Sequence, residues 1–119
     1  MSSGRRPARV RRLIVNADGF GFTPGVNRGI EEAVEAGVVH STSCVVNFPA
    51  IEELPAFAAR FPHVSPGVHL NLAVGRPVSD PARVPTLVGP DGQLLGARLP
   101  RRLVSGEVDR EDIRRELAG

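Results

Sequence analysis

Polar side chains that can carry out chemistry follow short apolar runs of this sequence. Asp18 comes after the run 13–15, Asn47 comes directly after 45–46, and His69 interrupts a later apolar segment. The carboxyl ends of parallel strands meet at one edge of a sheet, and α/β enzymes assemble their active sites there. We therefore expect Asp18 and His69 to emerge side by side at one edge of a parallel sheet.

Asp18 is predicted to act as a general base or as a metal-associated carboxylate. A carboxylate at the tip of a buried strand is costly unless it is hydrogen-bonded, paired or bound to a metal. The alternative is that Asp18 serves as a helix cap or a turn residue. Its position at the end of a predicted strand favours the catalytic interpretation.

His69 is predicted to bind a catalytic divalent metal, because imidazole is the commonest ligand for such ions. A single histidine in a strand is more often structural, and the expected proximity to Asp18 is what favours a ligand. A catalytic metal site needs about three protein ligands and an open position. One Asp and one His fall short of that number, so the sequence leaves the third ligand unassigned.

Five further residues are candidates for contact with a substrate, namely Asn16, Phe20, Asn47, Asn71 and Arg76. The three asparagines could orient a ligand or donate to a substrate carbonyl, and each could equally satisfy the backbone of a loop. Phe20 could form the wall of a pocket together with Phe22, or both rings could pack beneath the loop.

The elements that must position these residues alternate between strand and helix. Buried strands are predicted over the segments 12–17, 43–48 and 64–73. The helix after the first strand has Thr23 as a suitable N-cap, Pro24 at its first position and Gly37 as a stop. A second helix with a break or kink at Pro55 has an apolar face made of Ile51, Leu54, Phe57 and Ala58.

The last third of the chain has a different character. The segment 75–100 is rich in Pro and Gly and predicts an extended loop with a short strand or hairpin around 93–95. A final amphipathic helix is predicted over 105–117, with Asp109 as its cap. The alternation of the first two thirds predicts an α/β fold with right-handed crossovers and a parallel sheet covered on both faces.

Composition indicates one small domain of 119 residues. No apolar run approaches the roughly 18 residues of a membrane span, and no signal segment is recognisable, so we expect a cytoplasmic protein without a membrane partner. Cys44 is expected to be a buried core residue rather than a nucleophile, which agrees with a reducing compartment. His40 and His63 are expected to be exposed or capping residues.

The basic residues are concentrated at the start of the chain. The net charge of +2 becomes −3 when the five arginines of residues 1–12 are left out. We predict that residues 1–11 form a disordered tail. Binding of nucleic acid or an anionic surface by this tail is the lowest-ranked alternative, because the body is acidic and has few stacking aromatics; no nucleic-acid partner is expected.

Several motifs, in order along the chain, resemble those of the YdjC-like carbohydrate deacetylases (the ChbG/HpnK family). They are NADGFG at 16–21, PGVNRGI at 24–30, STS at 41–43, VN at 46–47, GVHLNL at 67–72 and GRPV at 75–78. The resemblance runs over residues 12–119 and is specific. It implies the N-terminal portion of a distorted (β/α) TIM-like barrel, with a divalent metal cofactor (Mg or Zn). It also implies a hydrolase that removes acetyl groups from N-acetylated sugars or oligosaccharides.

By analogy with that family, Asp18 is the catalytic base, His69 is a metal ligand, and Asp18 is a second candidate ligand. Gly19 stands where the family has a second acid that binds the metal, and the family's later His-rich segment lies beyond Gly119. Residues 12–119 therefore correspond to a truncated deacetylase domain, which we expect to be catalytically impaired. Replacing Gly19 by aspartate in a full-length context is expected to raise metal affinity.

A different class of function is a non-catalytic remnant. Such a half-barrel would associate through its free sheet edge or its apolar helix faces. Association into a homo-oligomer is therefore left open by the sequence.

Overall fold

Three parallel strands form one sheet in the order β1-β2-β3. The computed structural model describes residues 10–119, so residues 1–9 of the predicted disordered tail lie outside it. The strands are β1 (Asn16–Phe20), β2 (Ser41–Cys44) and β3 (Ser65–Val68). Both neighbouring pairs are parallel, which confirms the predicted α/β class and is consistent with part of a (β/α) barrel.

Within residues 10–119 there are four α-helices: α1 (Pro24–Glu35), α2 (Leu54–Arg60), α3 (Leu99–Val104) and α4 (Arg110–Ala118). Short 3₁₀ helices occupy Pro49–Glu53, Pro81–Arg83 and Gly96–Arg98. The helices α1 and α2 connect consecutive strands, as the alternation predicts. No helix of this described range combines the length and apolar character needed to cross a membrane.

The predicted first strand, 12–17, is wrong in its bounds. Leu13 and Ile14 are 82% and 77% exposed, and β1 begins only at Asn16, the first residue that is paired with β2. Pairing and burial against neighbours, rather than local hydrophobicity, decide where a strand forms. Asp18 therefore lies inside β1 and not beyond its end.

The other two strands are also shorter than predicted. β2 starts two residues before the predicted 43–48 and ends at Cys44, and β3 covers only four residues of the predicted 64–73. Val45, the residue after β2, is buried, and its amide donates to the Phe20 carbonyl at 2.8 Å. The apolar runs therefore predict strand limits poorly, and the run at 13–15 does not predict burial either.

Among residues 10–119, only one face of the sheet is covered. The main core lies between the sheet and the helices α1 and α2, and its buried residues are Phe20, Ile30, Val34, Val39, Cys44, Phe57, Phe61 and Val64. When strands follow each other in sequential order, right-handed crossovers place their helices on the same side. The expectation of a sheet covered on both faces is therefore wrong. The opposite face carries exposed or half-buried polar residues: Asn16, Asp18, Ser41 and Ser43.

The start of α1 is as predicted. Thr23 is the N-cap, and its hydroxyl accepts from the amide of Val26 at 3.1 Å, while Pro24 occupies the first turn, where its missing N–H costs nothing. Ile30 and Val34 are buried, whereas Val26 is 38% exposed. Of these three apolar residues of α1, Ile30 and Val34 therefore face the core and Val26 does not.

The second helix has the predicted break near Pro55. A 3₁₀ turn changes to α geometry at Leu54, so that Pro55 stands at the second position of α2 and interrupts no helical hydrogen bond. Phe57 is buried, and Ile51 and Leu54 pack against the core. Ala58 is exposed, which differs from the prediction.

The residues after β3 build a second, smaller core. Its buried members are Val84, Leu87, Leu94, Leu95 and Leu99. The predicted hairpin near 93–95 is a single antiparallel bridge between Val88 and Leu94. The helix α3 is not predicted from the sequence, because six residues are too few to show an apolar period.

The last helix, α4, begins later than predicted. Gly106 has a φ of 73° and separates α3 from α4, so the predicted start at 105 is wrong. Asp109 caps α4 as expected, and its Oδ1 accepts from the amide of Glu111 at 2.8 Å. The buried residues of α4 are Asp112 and Glu116 rather than a purely apolar stripe, since both carboxylates bind the loop beside them.

Asp112 is held by three hydrogen bonds. Its Oδ2 accepts from the amide and the hydroxyl of Thr86 at 2.9 and 2.6 Å, and its Oδ1 accepts from Arg115 at 3.0 Å. Burial raises the pKa of this carboxyl, but the bonds from Thr86 and the charge of Arg115 outweigh burial and lower the pKa below its usual range.

We expect the stability of the protein to decrease in acid because of Asp112. A depressed pKa stabilises the folded state above the unfolded pKa of about 4, and this contribution is lost as pH falls through the folded pKa. Urea unfolding between pH 7 and pH 2.5 should show a shallower decrease for Asp112→Asn than for the wild type. Asp91→Asn, at an exposed position, is the control. Equal slopes for wild type and Asp112→Asn would contradict this assignment.

Candidate functional site

Asp18 lies on the open face of the sheet within a network of side-chain hydrogen bonds. Its Oδ1 accepts from Asn16 Nδ2 at 2.7 Å and from the Ser43 hydroxyl. Asn16 Nδ2 also donates to Ser43 Oγ at 3.2 Å, and Asn16 Oδ1 accepts from Ser41 Oγ at 2.7 Å. The parallel register sets Asn16 opposite Ser41 and Asp18 opposite Ser43. These four side chains share one face because alternate strand residues point the same way.

His69 follows the end of β3 and borders a cavity. Its amide donates to the Cys44 carbonyl at 2.9 Å, which continues the ladder by one bond. Its Nδ1 is buried and has no hydrogen-bond partner within residues 10–119. The cavity, of about 370 Å³, is also lined by Asn47, Asn71, Glu116 and Leu117. A buried ring nitrogen without a hydrogen-bond partner is costly. A ligand bound to Nδ1 of His69 would remove this cost.

Asp18 lies inside β1 and His69 follows the end of β3, so the two residues do not lie side by side. Asp18 is paired with Ser43, Ser43 is paired with Gly67, and His69 lies two residues further along the chain. Their backbones are therefore separated by two strand spacings across the sheet and by two residues along it, roughly 12 Å, because β2 lies between them. The expectation that the two residues emerge side by side is wrong.

The described residues do not by themselves complete a metal site. Among residues 10–119 no group of three or more His, Cys, Asp or Glu side chains is placed to hold a metal ion. Asp18 already accepts two hydrogen bonds through one oxygen, and His69 offers one free nitrogen. Asp18 and His69 are thus two separated candidate ligands, fewer than the roughly three protein ligands of a catalytic metal site.

Asn47 and Asn71 satisfy the backbone of the loop after β3. Asn47 Nδ2 donates to the carbonyls of Val74 and Arg76 at 2.9 and 2.8 Å, and Asn71 Nδ2 donates to Asn47 Oδ1 at 2.9 Å. Asn71 Oδ1 accepts from the amides of Ala73 and Val74, both at 3.0 Å. Of the two roles that the sequence leaves open, the structure shows the loop role, and substrate contact by these amides stays a prediction.

The structure places Phe20 in the core. Its side chain is 0% exposed and its ring centroid lies 4.7 Å from that of Phe57, so substrate contact by this ring is corrected to core packing. Phe22 is 36% exposed and stacks edge-on against Phe48 at 4.7 Å. Arg76 is exposed, which leaves its predicted substrate role open.

The histidines and the cysteine outside the site are as expected. His40 and His63 are exposed, and Cys44 is 2% exposed in the main core. Burial raises the pKa of the Cys44 thiol, and a hydrogen bond from the Gly67 backbone lowers it by less. A protonated, buried thiol is a core residue and not a nucleophile.

Gly19 adopts a backbone that an acidic residue would strain. Its φ is 97°, and a Cβ built there would lie 2.8 Å from Cδ2 of Phe22. The register between β1 and β2 shifts between Asp18 and Phe20, so Gly19 is the extra residue of a β-bulge, a typical position for glycine with positive φ. The backbone and the position of the Phe22 ring thus suit glycine at position 19 and not the acid that the family resemblance implies.

Gly19→Asp is expected to destabilise the chain by about 1–3 kcal/mol, because an L-residue is strained at this φ and the Phe22 ring must move. Urea unfolding followed by circular dichroism measures the loss. Gly29→Asp is the matched control, since a Cβ at Gly29 meets nothing within 4 Å, and it should change stability little. Equal stability of Gly19→Asp and wild type would show that β1 adapts freely. The gain in metal affinity expected of Gly19→Asp in a full-length context is a separate measurement, made by calorimetry.

Two residues of this region are not singled out by sequence reasoning. Ser43 binds Asp18, and Asn27 is 0% exposed inside α1. Asn27 Oδ1 accepts from the amide of Gly21 at 2.7 Å, and its Nδ2 donates to the Ala50 carbonyl at 3.0 Å. The only local signal for Asn27 is its place among the inward positions of the predicted helix. Ser43 has a weaker signal, its alternation with Ser41.

Comparison with known proteins gives a consistent result. Residues 12–119 match the family model described as YdjC-like protein. The carbohydrate deacetylase of Geobacillus stearothermophilus is 44% identical in an alignment 108 residues long that covers 85% of this chain and 40% of that protein. The carbohydrate deacetylase of Homo sapiens is 44% identical in an alignment 109 residues long that covers 89% of this chain and 33% of that protein. The chitooligosaccharide deacetylase of Serratia marcescens is 39% identical over 105 residues, 88% of this chain and 40% of that protein.

A solved structure has the same fold in the matched region. It is a crystal structure from Enterococcus faecalis V583 of a protein described as a cellobiose-phosphate cleavage protein, with a TM-score of 0.74 and 33% identity over 87% of this chain. The match covers 39% of that protein. The chain thus spans about two fifths or less of the length of the relatives it matches.

Proposed function

Because the chain belongs to the YdjC-like protein family, we propose that it acts as a carbohydrate deacetylase. Such an enzyme is a hydrolase that removes acetyl groups from N-acetylated sugars or oligosaccharides. The observation that carries this proposal is Asp18, a carboxylate held on the open face of a parallel sheet whose third strand is followed by His69. The names of the relatives support the same reaction and substrate class.

In the proposed reaction Asp18 is the general base. It takes a proton from the water that attacks the acetamide carbonyl, while its Oδ1 is already held by Asn16 and Ser43. The C–N bond of the acetamide then breaks, acetate is released, and the proton goes to the departing sugar amine. The exposed sheet face leaves the second carboxylate oxygen accessible to that water. Arg76 and the side-chain amides of Asn16, Asn47 and Asn71 are proposed to contact the sugar.

A divalent cation, Mg²⁺ or Zn²⁺, belongs to the proposal only through His69 and, as a second candidate ligand, Asp18. The buried Nδ1 of His69 has no partner among the described residues, which supports a ligand role. The described residues fall short of a complete ligand set. We therefore assign no chemical step to a metal and propose that the chain is impaired as a catalyst.

Acetate release from N-acetylglucosamine oligomers tests the proposal. The full chain, with Mg²⁺ or Zn²⁺ added, is expected to release acetate slowly compared with the Geobacillus stearothermophilus relative. Turnover equal to that of the relative would contradict the proposed impairment. A chain that neither releases acetate nor binds the oligomers in calorimetry would contradict the deacetylase function itself.

A second candidate function is association without catalysis. It is favoured by β3, an edge strand of the sheet within residues 10–119, since exposed apolar edge strands tend to pair with other chains. Val68 in β3 and Leu70 just after it are 67% and 66% exposed. The expected partner is a second copy of this chain. Light scattering coupled to size exclusion should then detect a dimer whose fraction increases with protein concentration. A monomer at all concentrations would overturn this alternative.

A further inference from the structure

The hydrogen bonds around Asp18 have only one consistent arrangement of donors. An ionised carboxylate accepts only, so the Ser43 hydroxyl must donate its single proton to Asp18 Oδ1. Ser43 Oγ can then only accept from Asn16, which it does at 3.2 Å. The direction of each hydrogen bond therefore determines the direction of the next one.

The orientation of the Asn16 amide is determined in the same way. Its Nδ2 faces two acceptors, Asp18 Oδ1 at 2.7 Å and Ser43 Oγ at 3.2 Å. Its Oδ1 faces the Ser41 hydroxyl at 2.7 Å, which can donate to it. A flipped amide would direct an oxygen at the carboxylate and would lose the bond to it.

This network restrains a side chain that would otherwise be free. Asp18 is exposed, and an exposed aspartate on a sheet surface has several accessible rotamers. Donors from both β1 and β2 converge on Oδ1, and they leave Oδ2 with no donor from residues 10–119. Ser43 sits directly opposite Asp18 in the register, close enough for a cross-strand side-chain contact.

We propose that Ser43 is a positioning residue that, with Asn16, holds the Asp18 carboxylate in one orientation so that Oδ2 alone is presented to the attacking water. This inference rests on the proposed function, in which Asp18 is the base. Ser43 acts through Asp18 and need not touch the substrate. A base held in one orientation is effective because the reacting atoms must stay within a narrow range of positions.

The conformational part of the proposal is tested without substrate. Three-bond couplings measured by NMR in the isotopically labelled full chain report the χ1 rotamers of Asp18. The wild type and Ser43→Thr, which keeps the hydroxyl, should show one rotamer, and Ser43→Val, which has the shape of threonine without the hydroxyl, should show averaging. Ser65→Val, on the same face of β3, is the control and should leave Asp18 unchanged. A single rotamer in Ser43→Val, or averaging in the wild type, would overturn the proposal.

The catalytic part is tested by kinetics. Ser43→Val should lower kcat for acetate release about tenfold, as expected for one lost hydrogen bond to a charged group, with KM unchanged and with recovery in Ser43→Thr. In an Asp18→Asn background Ser43→Val should cause no further loss. A raised KM with unchanged kcat, or an equal loss in both backgrounds, would overturn the positioning role. If the wild type neither releases acetate nor binds the oligomers, the proposed function fails, and the NMR result alone decides whether Ser43 restrains Asp18.

Discussion

Asp18→Asn should reduce acetate release by the full chain by roughly 100- to 10,000-fold, the range that a positioned general base contributes. The amide oxygen of the new side chain can still accept from Asn16 and Ser43, so the network and the fold should persist. Only the ability to take a proton is removed. Acetate release from N-acetylglucosamine oligomers, measured with wild type and variant at equal concentration, gives the ratio.

The control for this experiment is Asp91→Asn, the same substitution at an exposed loop position. It should leave the rate unchanged. Urea unfolding of Asp18→Asn must also match that of the wild type, because a misfolded variant would lose activity for another reason. A rate within threefold of the wild type would remove Asp18 from the catalytic role and, with it, the observation that carries the proposed reaction.

Asn27→Leu should lower the free energy of unfolding by about 3 kcal/mol or more. The leucine has a similar shape but leaves the Gly21 amide and the Ala50 carbonyl buried without the partners they have at 2.7 and 3.0 Å. Each buried polar group without a partner costs about 1–3 kcal/mol. Glu53 also loses the bond from Asn27 Nδ2 at 2.8 Å. Urea unfolding followed by circular dichroism measures the change.

Arg28→Leu is the matched control, because it introduces the same side chain at the next position of α1, where the residue is exposed. It should change stability by less than about 0.5 kcal/mol. A loss below about 1 kcal/mol in Asn27→Leu would mean that water or a shifted backbone satisfies these groups, and that Asn27 does not anchor the bend after β1.

Asn27 also connects stability with the candidate site. The bend that it anchors begins at Gly21, one residue after β1 ends, and Asp18 lies in the same strand. Gly21 itself approaches β2 so closely that a Cβ there would lie 2.9 Å from the Val45 carbonyl oxygen. Asn27 and Gly21 therefore support the strand that carries the proposed base, although neither contacts Asp18.

The sequence by itself determined the features that depend on local chemistry. The alternation of the three strands with α1 and α2, the capping of α1 by Thr23 and of α4 by Asp109, and the burial of Cys44 all follow from residue type and spacing. The motifs that include Asp18 and His69 also identified the family, because they are short, ordered and specific. These properties need no knowledge of which distant segments meet.

The tertiary structure alone decided the properties that depend on distant segments. Strand limits follow from pairing, so β1 begins at Asn16 rather than at the apolar run before it. Sequential strand order with crossovers on one side left the polar face open, and that face brought Ser43 to Asp18 across 25 positions of sequence. The same order placed β2 between Asp18 and His69. Contacts between side chains far apart in sequence carry no local pattern, and for that reason the partners of Asp18 emerged only from the fold.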